Sequence, residues 1–148
     1  MVLIDDNLPA LPPLGAGPGV ARELRIAAPD GRLDGPKALR LDDPGRGAGL
    51  RPLSPVHLHA RRGDGGIALD WVRRTRIGGD GWDAPDVPLG EERELYALRL
   101  VDGAGRAVLE ALPTEARWSG AAPGAVAAEV AQISALWGAG PAARVALP

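Results

Sequence analysis

The sequence predicts an all-β protein, and three observations carry that reading. Glycine (21) and proline (15) supply roughly a quarter of the 148 residues, about twice the ordinary share, which interrupts the backbone too often for long helices. Val56, Leu58 and Ala60 alternate with His57, His59 and Arg61, the period of two that places one apolar set on one face of a strand. Ile67, Leu69 and Trp71 repeat the pattern after Gly63-Asp64-Gly65-Gly66, so the two runs form a hairpin.

Taken in order, residues 1–20 read as an extended arm. Val2-Leu3-Ile4 is followed by prolines at 9, 12 and 13, which remove backbone donors and forbid helix, and then by a glycine-rich run to Gly19. Val20 to Ile26 fits a strand, Pro29-Asp30-Gly31 a turn, and Lys37 to Leu41 the returning strand. Asp42 to Gly49, with Pro44 and three glycines, reads as a linker, so the expected division is 1–49 for the arm and short strands and 50–148 for the main domain.

After the hairpin, Ile77 to Gly90 reads as a long irregular connection carrying Trp82. Leu95 to Val101 is a strand, Asp102 to Gly105 a turn, and Ala107 to Leu112 the partner strand. The stretch Ala125 to Trp137 reads two ways. Val126, Val130, Ile133 and Trp137 stand at helical spacing in alanine-rich sequence with Gly138 as a stop, while Val126, Ala128 and Val130 fit period two.

Composition narrows the function classes. A net charge of -2 argues against a nucleic-acid grip, which needs a clustered basic excess. The basic patch Arg61-Arg62 with Arg73-Arg74-Thr75-Arg76 reads as the solvated face of two neighbouring strands. Of the 17 basic residues only Lys37 is lysine, an arginine bias read as nucleotide composition of the source. With no cysteine there is no disulfide, thiolate nucleophile or thiolate metal site. No stretch is apolar for long enough to span a bilayer.

Little in the chain points to bond chemistry. His57 and His59 can offer two imidazoles to a metal, but no third ligand is named, so they read as solvent-facing. Asp80, Asp83 and Asp86 surround Trp82 without the alternating spacing of dedicated calcium loops. Glu91, Glu92 and Glu94 read as the solvated entry to a strand. Ser54, Ser119 and Ser134 lack a nucleophile-elbow pattern, and Gly15-Ala16-Gly17-Pro18-Gly19 lacks the strand and lysine of a phosphate loop. The expectation is a chain with no catalytic residues, no metal and no cofactor. Trp71 is assigned to the core, whereas Trp82 and Trp118 read equally as core residues or as candidates for stacking on a sugar or partner surface.

A series of motifs carries a resemblance: Gly49-Leu50-Arg51-Pro52-Leu53-Ser54-Pro55-Val56-His57-Leu58, then Asp70-Trp71-Val72-Arg73-Arg74-Thr75-Arg76-Ile77, Trp82-Asp83, and Val87-Pro88-Leu89-Gly90-Glu91-Glu92. Together they resemble the C-terminal region of the tail-tip hub protein of gene transfer agents and related siphophage-like particles, a protein that also carries a TIM-barrel-like domain. The opening Val2-Leu3-Ile4-Asp5-Asp6 resembles the segment preceding that region, while residues 27–48 match weakly. The hub's barrel is absent here, so nothing belonging to it is carried over.

Residues 52–148 also resemble a fibronectin type III sandwich, with Trp71 in the second strand, Tyr96 in the third, and a Gly138, Gly140 turn before Arg144-Val145-Ala146-Leu147. That resemblance implies a strand rather than a helix at 125–137. It also implies that the tyrosine usual in the penultimate strand is replaced at Val126, without its corner hydrogen bond. The implied fold is a fibronectin type III-like β-sandwich with an N-terminal extended arm and small β-hairpin.

The implied function is a structural or docking module of a phage-like tail tip or baseplate, in a virion-like particle assembled in the cytoplasm and released. Its expected partners are other tail-tip proteins or the host cell surface, within a homotrimeric parent, and its expected contact residues are Trp82, Trp118, Asp83, Arg73 and Arg74. The alternative is a carbohydrate-binding module that holds a host surface glycan with Trp82 or Trp118.

Overall fold

A computed structural model describes residues 19–45, 47–63, 65–76, 78–79 and 86–148. The expected arm, Trp82 and Asp83 lie outside the described residues. The chain divides into two compact units, residues 1–47 and 48–148.

The first unit contains an antiparallel ribbon of β1 (Arg22–Ile26) and β2 (Leu39–Asp43). Cross-strand pairing sets Leu24 opposite Leu41 and Ile26 opposite Leu39 on one face, with Glu23 opposite Asp42 and Arg25 opposite Arg40 on the other. The second strand runs two residues beyond the expected Leu41, with Asp42 opposite Glu23 and Asp43 opposite Arg22. At the base of the ribbon the Gly19 amide donates to the Gly45 carbonyl at 3.0 Å. Gly45 has φ +68, and a Cβ there would lie 2.2 Å from the Val20 carbonyl oxygen, so only glycine fits.

In the second unit a short 3₁₀ turn, Ala48–Leu50, leads to β3 (Val56–Gly63) and β4 (Gly66–Val72), the hairpin expected from the alternating runs. Next come β5 (Tyr96–Val101) and β6 (Ala107–Ala111), then β7 (Arg117–Gly120), β8 (Ala127–Ser134), β9 (Gly138–Ala139) and β10 (Ala143–Ala146). One sheet has the order β3-β4-β7; the other runs β10-β8-β5-β6, with β9 pairing β8. The chain crosses between the sheets after β4, β6 and β7, and this strand order is that of a fibronectin type III-like sandwich.

The sheets close on Ile67, Leu69 and Trp71 from one side and Tyr96, Leu98, Leu100, Ala128 and Val130 from the other. Each large side chain buried this way contributes about 1.5–3 kcal/mol of transfer free energy. Trp71 and Tyr96 meet edge to face with ring centroids 5.0 Å apart.

Strand β8 settles the ambiguous stretch. It pairs with β5 on one side and β10 on the other, and Ala128, Val130, Gln132 and Ser134 are all buried on alternate positions. A central strand flanked by neighbours on both edges, with one face on the core, accepts small apolar residues whatever their β propensity, so the alanines that favour helix locally serve the sheet instead. Val126 precedes the strand and is 48% exposed.

Two strands were not foreseen. β7 is too short for a periodic signal and is set by its partner, with Leu69 opposite Trp118 and Ile67 opposite Gly120. β9 holds only two residues.

The sheet edges are irregular. The β3–β4 register shifts between Val56 and His59, where His57 has φ +50, and the β5–β6 register shifts between Leu100 and Val101. Such bulges blunt an edge against strand addition. Across the outer face of the larger sheet, Glu110, Arg99, Glu129 and Arg144 form one row of ion pairs at 3.2, 3.2 and 3.0 Å. No helix of the described residues is long and apolar enough to cross a membrane.

Candidate docking surface

Where β4 ends at Val72, the arginine-rich run leaves the sheet and engages residues 86–94. Arg73 donates from Nε to the Val87 carbonyl at 2.8 Å and from a terminal nitrogen to Asp86 Oδ2 at 2.7 Å. Its other terminal nitrogen lies 3.5 Å from Glu94 Oε1, which also accepts the Tyr96 hydroxyl at 2.9 Å. Arg76 pairs with Glu91 at 3.0 Å. A planar guanidinium spreads its donors over three nitrogens and so reaches three separated acceptors in fixed directions, whereas an ammonium donates from a single nitrogen.

These contacts correct two sequence expectations. The Arg73 and Arg76 side chains are only 17% and 21% exposed, so they are not part of a solvated strand face. Glu91, at 6%, is not a solvated entry to a strand but the buried partner of Arg76. Charge runs read as solvated because the sequence does not reveal that residues 73–76 and 86–94 fold onto one another.

The connection and the sandwich end enclose an open groove of about 530 Å³, bordered by Leu53, Val56, His57, Arg73, Arg74 and Val87 among others. Arg74 is exposed there, whereas Arg73 is engaged as described. The structure thus brings together Arg73 and Arg74 of the expected contact set. No tryptophan or tyrosine among the described residues lines the groove.

Trp118 lies elsewhere. Its indole packs against the core, opposite Leu69, while its outer edge borders a second hollow with Asp70, Pro113 and Arg117. Gly120 makes room for it, since a Cβ at that position would sit 2.7 Å from Trp118 Cζ2.

The two histidine rings are 6.5 Å apart, and His59 Nδ1 lies 3.5 Å from Asp70 Oδ2, a carboxylate that also pairs with Arg61 at 2.9 Å. The described residues hold no group of three histidine, cysteine or acidic side chains able to coordinate a metal. Tyr96 is fully buried, and burial first, then the Glu94 hydrogen bond and charge, push its phenol well above the usual tyrosine value. Tyr96 therefore stays protonated and joins the core to the Arg73 contacts.

At the far end of β8, the Ala135 amide donates to Glu92 Oε2 at 3.1 Å, and the Trp137 amide donates to Ser134 Oγ at 3.3 Å. Backbone amides, first that of Glu92 itself and then those of Ala135 and Leu136, hold the Glu92 carboxyl below the usual range. Only tertiary contact places Glu92 under this turn, so the sequence carried no signal of its role.

No family model and no curated protein matches this chain. Among solved structures, the extracellular region of rat CD45, domains d3–d4, is similar at a TM-score of 0.49 and 11% identity, over 99% of this chain and 72% of that one.

Proposed function

We propose that this chain is the terminal portion of a tail-tip hub protein of a gene transfer agent or related phage-like particle. There it works as a non-catalytic docking module on other tail subunits or on the cell surface, within a trimeric parent.

One observation supports this reading most. Arg73, Arg76, Val87 and Glu91, which belong to the motifs that carry the resemblance, tie residues 73–76 to residues 86–94. Guanidinium groups engaged by carboxylates and a carbonyl fix a surface and are not free to act on a substrate. The ribbon adds a second support. Ile26, Leu39 and Leu41 are 53%, 61% and 50% exposed, and among the described residues of this unit no second layer covers the ribbon. A module built for contact with other subunits accounts for such a face.

The test is to fractionate particles from the producing cell and probe the particle fraction for this chain, with light scattering on the purified parent. The expected result is co-purification with tail proteins and a trimeric mass. A chain confined to the free-protein fraction, or a purified sample that turns over a substrate, would overturn the proposal.

A further inference from the structure

The β1–β2 ribbon has two unlike faces. Glu23 opposite Asp42 and Arg25 opposite Arg40 make one of them charged, while Leu24 opposite Leu41 and Ile26 opposite Leu39 make the other apolar. Ile26, Leu39 and Leu41 are each at least half exposed. A hairpin of two strands is marginal in water by itself, so its apolar face needs a covering layer. The compact unit that holds the ribbon begins at residue 1, so residues 1–18 belong to the same unit as that face.

The direction of those residues is set where the chain enters β1. Gly19 has φ +85 and follows Pro18, the sequence and the angle of the third position of a type II turn. Such a turn sends the preceding segment back along the strand that follows, but splays the two apart rather than pairing them in a ladder. The Gly19 amide is taken by the Gly45 carbonyl, which ties the reversal to the base of the ribbon.

The segment turned back in this way matches the apolar face. From Asn7 to Val20 the sequence holds no charge, and Leu8, Leu11 and Leu14 recur at every third position among Pro9, Pro12 and Pro13. Proline favours polyproline II, whose three residues per turn and rise of about 3.1 Å put the leucines on one edge at steps of about 9 Å. The two apolar rows of the ribbon are about 7 Å apart. Leu14 and Leu11 therefore reach both rows, and Leu8 continues towards the β1–β2 connection. The opposite face is the wrong choice for this segment, because covering it would strip water from Arg25, Arg40 and Asp42.

We infer that residues 8–14 lie along the Leu24–Leu41 face of their own ribbon as a polyproline II strand, with the three leucines inward. The occupant is the chain's own arm and not that of a second copy. Only the four residues Gly15 to Pro18 separate the segment from Gly19, and so short a tether gives an effective concentration on the order of millimolar. The face proposed for contact with other subunits is then closed in the free chain, and a subunit takes it only by displacing the arm. The inference goes beyond the docking reading and does not depend on it.

The chain has no cysteine, so a pair introduced into the whole chain is unique. Leu11→Cys with Leu41→Cys, oxidised at micromolar protein, should close into a monomeric disulfide, seen as a faster band on a non-reducing gel and mapped by mass spectrometry. Leu11→Cys with Arg40→Cys keeps the tether but probes the other face, and should close at least about tenfold more slowly. Hydrogen exchange gives a second readout. Leu11→Asp should speed the amides of residues 22–26 and 39–43 by about tenfold and leave those of 67–72 and 96–101 unchanged, while Leu11→Met should keep the wild-type rates.

No closure of the Leu41 pair, a covalent dimer as its main product, equal closure of the Arg40 pair, or ribbon exchange unmoved by Leu11→Asp would each sink the inference. None of these results bears on whether the chain co-purifies with particles, so the two readings fail separately.

Discussion

Gln132 is the core position where a substitution should raise stability. It lies on β8 opposite Tyr96, on the face shared with Ala128 and Val130, and is 1% exposed. Neither its Nε2 nor its Oε1 has a hydrogen-bond partner among the described residues. An amide buried in that condition costs about 1–3 kcal/mol relative to one left in water. Gln132→Met keeps the length and nearly the volume of the side chain while removing both polar atoms, so overpacking should cost less than about 1.5 kcal/mol. The expected net gain is about 1–2 kcal/mol, which for a unit of this size raises the melting temperature by about 4–8 °C per kcal/mol. All four tryptophans fall in residues 48–148, so urea unfolding followed by tryptophan emission reports on this unit. The gain should appear as a higher midpoint with an unchanged slope. A loss of about 1 kcal/mol or more would show that a trapped water or another group satisfies the amide, and the reasoning would fail.

Other substitutions follow from the same geometry. Gly120→Ala places a methyl 2.7 Å from Trp118 Cζ2 and should cost about 1–3 kcal/mol by urea titration; adding Trp118→Leu should recover part of that loss. Gly66→Ala should cost more, because φ is +121 and the new Cβ would lie 2.4 Å from the Gly120 carbonyl oxygen; Gly65→Ala, with open space around it, should be close to neutral. Arg73→Gln should cost about 1–3 kcal/mol and speed amide exchange around Val87, and Arg73→Lys should not restore the wild-type protection, since it cannot bridge Val87, Asp86 and Glu94 together. Because the Tyr96 phenol is raised, the folded chain holds its proton where the unfolded chain does not. The stability this contributes is whole below the unfolded tyrosine value of about 10 and falls as pH rises from there toward the higher folded value. Tyr96→Phe should remove that alkaline slope in urea midpoints while costing about 1 kcal/mol at neutral pH.

What the sequence determined by itself was local. Alternation at Val56–Ala60 and Ile67–Trp71 is written in residue order, so the hairpin and its buried face follow from the side-chain period alone. The glycine and proline punctuation likewise separated the strands. Tertiary structure decided everything that depends on residues far apart in the chain. Strand β7 exists because β4 offers it an edge, and β8 is a strand because two neighbouring strands and a face buried in the core outweigh the helical preference of its alanines. Arg73, Glu91 and Glu92 look like surface charges in sequence, and only the folding of residues 86–94 onto the ends of β4 and β8 turns them into fixed supports. Burial and pairing are properties of three-dimensional neighbours, which residue order near a position does not specify.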